Sequence, residues 1–145
     1  MRGGTIKMSK IAKEQITRST GTDWQPTEEQ EQAYLFQWAM LMTNRFPELS
    51  LLFHIPNGGA RSLTEAVRFK RAGVKKGVPD LFLPVARGGF HGLFIELKRE
   101  RGGRVSKEQK EWLSALEAEK YRAVVCNGAE EACNEIYNYL TDVEQ

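Results

Sequence analysis

The sequence predicts an α/β protein with a mixed β-sheet of about four strands flanked by helices. Apolar runs bounded by glycine and proline alternate with helix-like segments, in the order helix, strand, helix, strand, strand, helix, strand, helix. Gly88-Gly89 separates two of the strand-like runs, which is typical of a hairpin and therefore of an antiparallel pair. With 145 residues, 41% of them apolar, the chain fits one domain around one core.

Composition excludes several classes of protein. No apolar run approaches the roughly 20 residues of a membrane-spanning helix, so we expect no membrane partner. Cys126 and Cys133 match no common zinc spacing and are expected to be reduced. Residues 1–25 are polar, without periodicity or an apolar leader, which predicts a flexible N-terminal arm before a folded domain over residues 26–145. We therefore expect a cytoplasmic protein.

The formal net charge of +2 does not by itself indicate nucleic-acid binding. A basic footprint would have to come from local clustering, and clusters of this size are most often solvated surface. The three tryptophans are expected to pack in the core or at a dimer contact rather than to stack on bases. The basic clusters are Arg68, Lys70, Arg71, Lys75 and Lys76, followed by Lys98, Arg99, Arg101 and Arg104.

The first three predicted helices each begin with a capping pattern, a Ser or Thr followed one turn later by Glu or Gln. The segment Ala33–Met42 of the first helix is apolar nearly all round, which predicts burial on more than one side. The second helix is basic and ends at about Ala72. A last amphipathic helix is expected over residues 129–140. The capping pairs are Thr27–Gln30, Ser62–Glu65 and Ser106–Gln109.

Four short apolar runs predict the strands. The first covers residues 51–55 and is stopped by a Pro-Asn-Gly-Gly segment. Residues 80–85 and 92–98 form the predicted hairpin, and residues 121–126 form the last strand. The hairpin is the part of the sheet that carries charged side chains.

Three charged residues of the hairpin are expected to converge. Side chains two apart on a strand share a face, so Glu96 and Lys98 point the same way, and Asp80 opens the neighbouring strand. Charge in an apolar sheet is costly unless it is paired or bound to a metal. The two carboxylates are hard ligands suited to Mg²⁺, and the backbone carbonyl of Leu97 offers another oxygen.

A metal ion at this position would polarise a phosphoryl oxygen and activate a bound water. Lys98 would hold or deprotonate that water, or stabilise charge on the phosphate. The alternative is an ordinary cross-strand ion pair, which a Glu-x-Lys pattern alone favours. The segment Gly77-Val78-Pro79-Asp80-Leu81, directly before an apolar strand, shifts the balance towards a metal site.

Pro79-Asp80 followed by Glu96-Leu97-Lys98 resembles the PD-(D/E)XK nuclease superfamily, and finer features resemble its VRR-NUC family of virus-type replication-repair nucleases. The resemblance covers roughly residues 27–140, and the joint pattern is specific although no single piece is. The finer features are Ile55-Pro56-Asn57-Gly58-Gly59-Ala60-Arg61, Lys76-Gly77-Val78-Pro79-Asp80-Leu81, Phe94-Ile95-Glu96-Leu97-Lys98, Ser106-Lys107-Glu108-Gln109 and the late strand Tyr121-Arg122-Ala123-Val124-Val125.

The resemblance implies a restriction-endonuclease-like fold that cuts phosphodiester bonds with Mg²⁺, for which Mn²⁺ is the expected substitute. Stand-alone members of the family are similar to structure-selective DNA nucleases that act as homodimers on branched substrates such as Holliday junctions. Branched DNA and a second copy of the chain are therefore the expected partners. A phage or prophage origin is a further expectation from the resemblance.

The resemblance adds two candidate site residues. The family glutamine after the Glu-x-Lys strand corresponds to Gln109, which is equally well explained as the capping partner of Ser106. The family acid on the first helix, which reaches the metal through water, corresponds best to Glu28, four residues before Gln32. Glu31 is the fallback, and a first-turn acid favoured by the helix dipole is the alternative for Glu28.

The loop after the first strand is the expected DNA contact. Its glycines allow close approach to a phosphate, and the start of the following helix favours anions. The residues alone favour a plain turn, whereas the resemblance favours DNA contact. The DNA-binding candidates are Asn57, Gly58, Gly59, Arg61 and Lys76.

Two other functions remain open at this point. A sequence-specific restriction-type nuclease could share the fold, although no extra recognition segment is evident. A non-catalytic nucleic-acid-binding module is the second alternative. The presence of Asp80, Glu96 and Lys98 together argues against the second.

Overall fold

The computed structural model describes residues 24–57 and 59–141. Most of the predicted N-terminal arm lies outside the described residues. The chain order is helix, 3-10 turn, strand, helix, strand, strand, helix, strand, helix, which confirms the predicted succession. The elements are α1 (Glu28–Met42), a 3-10 turn (Pro47–Leu51), β1 (Phe53–His54), α2 (Leu63–Arg71), β2 (Leu81–Leu83), β3 (Leu93–Lys98), α3 (Lys107–Ala118), β4 (Arg122–Asn127) and α4 (Ala129–Thr141).

The sheet has four strands in the order β1-β2-β3-β4. β1 and β2 are antiparallel, as are β2 and β3, whereas β3 and β4 are parallel. The parallel pair needs a long crossover connection, and α3 supplies it. The prediction of a mixed four-stranded α/β sheet is therefore confirmed.

The core lies between the sheet and the pair of helices α1 and α4, which pack against each other and against β3. Alternate residues of β3 face this core, because successive side chains of a strand point to opposite sides. The other face of β3 carries Glu96 and Lys98 towards the start of α3. The core side chains of β3 are Leu93, Ile95 and Leu97, which pack with Leu35 of α1 and Ile136 of α4.

All three predicted capping positions begin a helix. Thr27 and Gln30 form a complete capping box, with hydrogen bonds of 3.2 and 3.0 Å. At α2, the Ser62 hydroxyl accepts from the Glu65 amide at 3.1 Å, but the Glu65 carboxylate accepts from the Arg61 amide instead of Ser62. The helix still begins after Ser62, but the Glu65 carboxylate holds the residue before the N-cap rather than the N-cap itself.

Burial of the first helix differs from the prediction. Met40 and Leu41 are 75% and 80% exposed, so the prediction of burial on more than one side is wrong. β3, α4 and the 3-10 turn contact α1, and the buried residues of α1 lie along one stripe. The buried stripe consists of Glu31, Leu35, Trp38 and Ala39.

Two strands are shorter than predicted. Pro47 begins a 3-10 turn that runs to Leu51, since proline is preorganised for a first helical position, so only Phe53–His54 form β1. β2 ends at Leu83, because Pro84 has no amide to continue the ladder. The predicted hairpin turn is present, with Arg87 and Phe90 exchanging backbone hydrogen bonds of 2.8 and 3.2 Å across the two glycines.

No helix in the described part of the chain is both long enough and apolar enough to cross a membrane.

Candidate metal-dependent active site

Two acidic residues face each other across the antiparallel pair β2–β3. Leu81 pairs with Ile95, so the antiparallel register places Asp80, the residue just before β2, opposite Glu96. Phe82 and Phe94, on the same face, stack with ring centroids 4.1 Å apart. The aromatic pair fixes this register, and the sequence prediction that the hairpin brings both carboxylates together agrees with the geometry.

Backbone groups hold Asp80 from two sides. The Leu97 amide donates to Asp80 Oδ2 at 2.9 Å, which aims the carboxylate at β3. The Asp80 carbonyl accepts from the Ile55 amide at 2.7 Å and lies 2.8 Å from Nδ1 of His54. Asp80 is therefore positioned by both neighbouring strands.

Glu96 is almost completely buried, at 1% exposure. Its Oε1 accepts from Gln109 Nε2 at 2.6 Å and lies 3.0 Å from Lys98 Nζ. Its Oε2 is buried and is one of only two such side-chain polar atoms without a hydrogen-bond partner among the described residues. An unpartnered buried carboxylate oxygen is costly unless a cation or a proton occupies it.

The surroundings of Glu96, above all its burial, disfavour its ionised form. Burial, and then repulsion from Asp80, raise the pKa of Glu96 from 4.5 to about 7, while Lys98 acts in the opposite direction. Strong pKa perturbation by burial and a like charge is frequent at catalytic sites. A cation between the two carboxylates would remove the cause of the shift.

Gln109 satisfies both of its alternative interpretations at once. Its Oε1 accepts from the Ser106 amide at 2.8 Å, which completes the capping box of α3. Its Nε2 is left to donate to Glu96. The cap therefore fixes the amide in the orientation that holds the carboxylate.

The two candidate acids of α1 lie in different surroundings. Glu28 lines a cleft of about 400 Å³ together with Asp80 and Leu97. The fallback, Glu31, is fully buried, and its Oε2 accepts from the Ala129 amide at 2.8 Å. Glu31 thus caps α4, which is preceded by Gly128 and so has no Ser or Thr side chain in that position. Of the two acids, only Glu28 shares the cleft with Asp80.

The donor set fits a small hard cation. No cluster of three or more His, Cys, Asp or Glu side chains able to hold a metal ion occurs in residues 24–57 and 59–141. The carboxylate pair is supplemented by a backbone oxygen, because N–H and C=O of one strand residue point to the same edge, and the Leu97 amide already points at Asp80. Mg²⁺ commonly uses few carboxylates and keeps several waters, which matches this set.

The predicted DNA-contact loop is only partly described, since Gly58 lies outside the described residues. Asn57 donates from Nδ2 to the Val78 carbonyl at 3.1 Å, which ties the loop to the segment before Asp80. Gly59 and Arg61 are exposed. Lys76 pairs with Glu108 at 3.1 Å, with both side chains largely accessible to solvent.

The structure has a second, larger opening that the sequence analysis did not predict. It has a volume of about 1160 Å³ and is lined by Lys76, Lys98 and Gln109 together with residues of α2 and Trp112. The basic clusters of the sequence were the available signal, but their convergence depends on how α2 and α3 lie in space.

The fold and the carboxylate–lysine cluster define a nuclease-type module that acts on nucleic acid. The VRR-NUC domain family model matches residues 11–130, and the chain belongs to the VRR-NUC family. It is similar to a solved structure described as a "VRR_NUC domain protein", with 32% identity, 83% of this chain and 93% of that chain covered, and a TM-score of 0.71. No curated protein matches the chain. The family resemblance and the fold class predicted from the sequence are confirmed.

Proposed function

We propose that this protein is an Mg²⁺-dependent endonuclease that hydrolyses phosphodiester bonds in DNA and is selective for branched DNA such as Holliday junctions. The observation that carries the proposal is the buried Glu96 Oε2, which has no hydrogen-bond partner and belongs to a carboxylate set opposite Asp80. Lys98 and Gln109 both contact Oε1, so the ion pair leaves Oε2 as the oxygen that a cation beside Asp80 would take.

Asp80, Glu96 and the Leu97 carbonyl would hold the cation directly, and Glu28 would act from the rim of the cleft through water. A bound divalent cation supplies charge that polarises a phosphoryl oxygen and lowers the pKa of a bound water. Mn²⁺ has the same preference for oxygen ligands and should substitute. Gln109 keeps Glu96 Oε1 occupied, so that Oε2 is the oxygen left for the cation.

Lys98 is the cationic group of the site. Its side chain is 8% exposed, and its ammonium group is held 3.0 Å from Glu96 Oε1. A preorganised ammonium in a poorly solvated position stabilises negative charge that develops on the phosphate, and it also orients the attacking water. Lys98 therefore acts on the reacting phosphate rather than as a ligand of the cation.

Selectivity for branched DNA and a homodimeric state are further parts of the proposal, and the family resemblance supports them. A symmetric pair of chains presents two equivalent sites, as cleavage of two strands requires. The loop residues Asn57, Gly59 and Arg61, with Gly58 and Lys76, would contact phosphates beside the cut.

The test measures cleavage of an end-labelled four-way junction and of a linear duplex that has the sequence of the junction arms. Each substrate is incubated with Mg²⁺, with Mn²⁺ and with chelator. Glu96→Gln and Lys98→Ala should abolish cutting and retain most of the binding. The matched controls Glu119→Gln and Lys110→Ala change the same residue types at exposed positions of the chain. Size-exclusion chromatography of the active protein measures whether it is a monomer or a dimer.

Each outcome decides between functions. Cutting of the junction but not the duplex supports the proposal, whereas cutting of linear DNA at a fixed sequence favours a restriction-type nuclease. Binding by the wild type without cutting under either metal overturns the proposal in favour of a non-catalytic module.

A further inference from the structure

The larger opening, which we call the α2–α3 groove, runs from the basic helix to the candidate active site. α2 and the turn over residues 73–77 form one wall, and the beginning of α3 with Trp112 forms the other. Lys98 and Gln109, both in contact with Glu96, line the groove, while Asp80 and Leu97 line the smaller cleft. Residues that contact Glu96 therefore line the groove, and Asp80, which lies opposite Glu96, lines the smaller cleft.

The lining of the groove combines positive charge with apolar surface. No acidic residue lines it, and Glu108 contacts it only indirectly, through the ion pair with Lys76. Aromatic side chains come from both walls, with Phe69 on α2 and Trp112 on α3. The cationic lining residues are Lys70, Lys75, Lys76, Lys98 and Arg104, and the apolar ones include Ala66 and Val74.

Helix α2 contributes little to the core of the fold. None of the residues of this helix is buried, and none belongs to the hydrophobic core of the described chain. Leu63 and Val67 on the same helix are 87% and 53% exposed. Leu63 and Val67 lie outside the lining of the groove, whereas Ala66, Phe69 and Lys70 of the same helix line it and are available to a ligand.

The groove is nevertheless held in shape by α3. Trp112 Nε1 donates to the Lys76 carbonyl at 3.1 Å, and Lys76 pairs with Glu108. Gly77 lies so close to α3 that an added Cβ would be 2.7 Å from the Glu108 carbonyl carbon. The turn over residues 73–77 is therefore fastened to α3, and the groove exists before any ligand binds.

We propose that the α2–α3 groove binds an unpaired DNA strand that continues from the scissile phosphate. A duplex hides its bases and offers mainly phosphates to a protein, so it would use the lysines but not the aromatic walls. A single strand offers both phosphates and base faces, which basic grooves with aromatic side chains bind without sequence preference. The combination of cations with Phe69 and Trp112 therefore favours the single strand.

This inference rests on the proposed function for the direction in which the strand runs, but it can be tested by binding alone. The probes are fluorescein-labelled oligo-dT, a blunt duplex and the same duplex with an oligo-dT tail, measured by anisotropy in chelator so that no cutting occurs. The variants are Lys70→Ala/Lys75→Ala and Phe69→Ala. Lys110→Ala is the matched control, because this exposed lysine of α3 does not line the groove.

Both groove variants should bind oligo-dT and tailed duplex about tenfold more weakly than the wild type. A loss of this size corresponds to one stacked base for Phe69→Ala and to a few phosphate contacts for the lysine variant. Affinity for blunt duplex should stay close to that of the wild type, and Lys110→Ala should match the wild type on all three probes. The lysine variant should also lower the salt dependence of binding, whereas Phe69→Ala should not. Thermal melting of each variant checks that it is folded.

Equal losses on tailed and blunt duplex would overturn the inference, since the groove would then be a duplex contact. No loss on any probe would overturn it as well. A wild type that prefers the tailed duplex through the groove but never cuts DNA would refute the proposed function and keep the inference. If the wild type cut branched DNA while the groove variants bound every probe as tightly as the wild type, the proposed function would stand and the inference about the groove would fall.

Discussion

Gln109 Nε2 lies 2.6 Å from Glu96 Oε1, so an amide at the start of α3 holds the central carboxylate of β3. The same side chain accepts from the Ser106 amide through its other terminal atom. One residue thus links the cap of a helix to the geometry of the site. The capping role of Gln109 can be separated from its contact with Glu96 by comparison with Gln30, which completes the same kind of cap at the start of α1.

Gln109→Ala should lower the rate of DNA cleavage by about 10- to 100-fold, the usual effect of removing a group that orients a metal ligand. Gln30→Ala is the matched control, because Gln30 completes the capping box of α1 and contacts no site residue. Gln109→Ala should lose more stability than Gln30→Ala in thermal melts, because it also removes the hydrogen bond to the buried Glu96 carboxylate. If Gln109→Ala cleaved DNA as fast as Gln30→Ala in single-turnover assays, Gln109 would act only as a helix cap.

The raised pKa of Glu96 predicts a pH-dependent stability of the metal-free protein. Its pKa is about 7 when folded against an ordinary 4.5, so the folded state binds the extra proton between these values. The resulting stabilisation is complete below the lower value and is lost as pH rises through the upper one. Above neutral pH the folded protein therefore carries a costly buried charge.

Glu96→Gln removes that charge at nearly constant shape. In chelator at about pH 8 it should raise the free energy of unfolding by about 2 to 3 kcal/mol, and by close to nothing at about pH 4. Urea unfolding at both pH values measures the difference, and added Mg²⁺ should stabilise only the wild type. A variant less stable than the wild type at the higher pH would contradict the assignment of Glu96 as the strained group.

Glu28 and Glu31, one helical turn apart on α1, should behave oppositely when mutated. Glu31→Ala leaves the Ala129 amide without its acceptor and opens a buried space, so it should cost about 2 to 4 kcal/mol of stability. Glu28→Ala changes an exposed residue of the cleft and should alter stability by less than about 0.5 kcal/mol while slowing cleavage. Paired denaturation and cleavage measurements make the comparison, and a stable Glu31→Ala would refute the capping role.

The parts of the site that were predictable from sequence depend on short-range geometry. The period of two along a strand puts Glu96 and Lys98 on one face, and the hairpin puts Asp80 opposite, whatever the rest of the chain does. The Glu31 cap was not predictable in the same way, because its partner Ala129 lies on the last helix. A helical stripe shows that Glu31 points inward but not what it meets there.

The α2–α3 groove shows the same limit at a larger scale. Trp112 looks like a core residue because it shares a helical face with Leu113 and Leu116, yet it lines the groove and is only half-buried. Its surroundings are set by Phe69 and by the turn after α2, at positions that only the tertiary fold relates. Burial of α1 was overestimated for a related reason, since an apolar composition does not say how many neighbours a helix has.

Gly77 offers a test of the groove wall that does not remove any charged side chain. Its φ of +91° is unfavourable for other residues, and an added Cβ would meet backbone atoms of Glu108 at 2.7 Å, so Gly77→Ala must push the turn away from α3. We expect a loss of about 2 to 4 kcal/mol in stability, together with weaker binding of tailed DNA.

Gly89→Ala is the matched control, because Gly89 has a similar φ of +82°, nothing within 4 Å of an added Cβ, and a place in the β2–β3 hairpin turn that does not line the groove. It should cost only the backbone strain, about 1 kcal/mol, and leave tailed-DNA affinity within about twofold of the wild type. Urea unfolding and anisotropy titration of both variants measure the two effects. If the two alanines were equally costly and equally harmless to binding, the close contact between Gly77 and α3 would not be what holds the groove open.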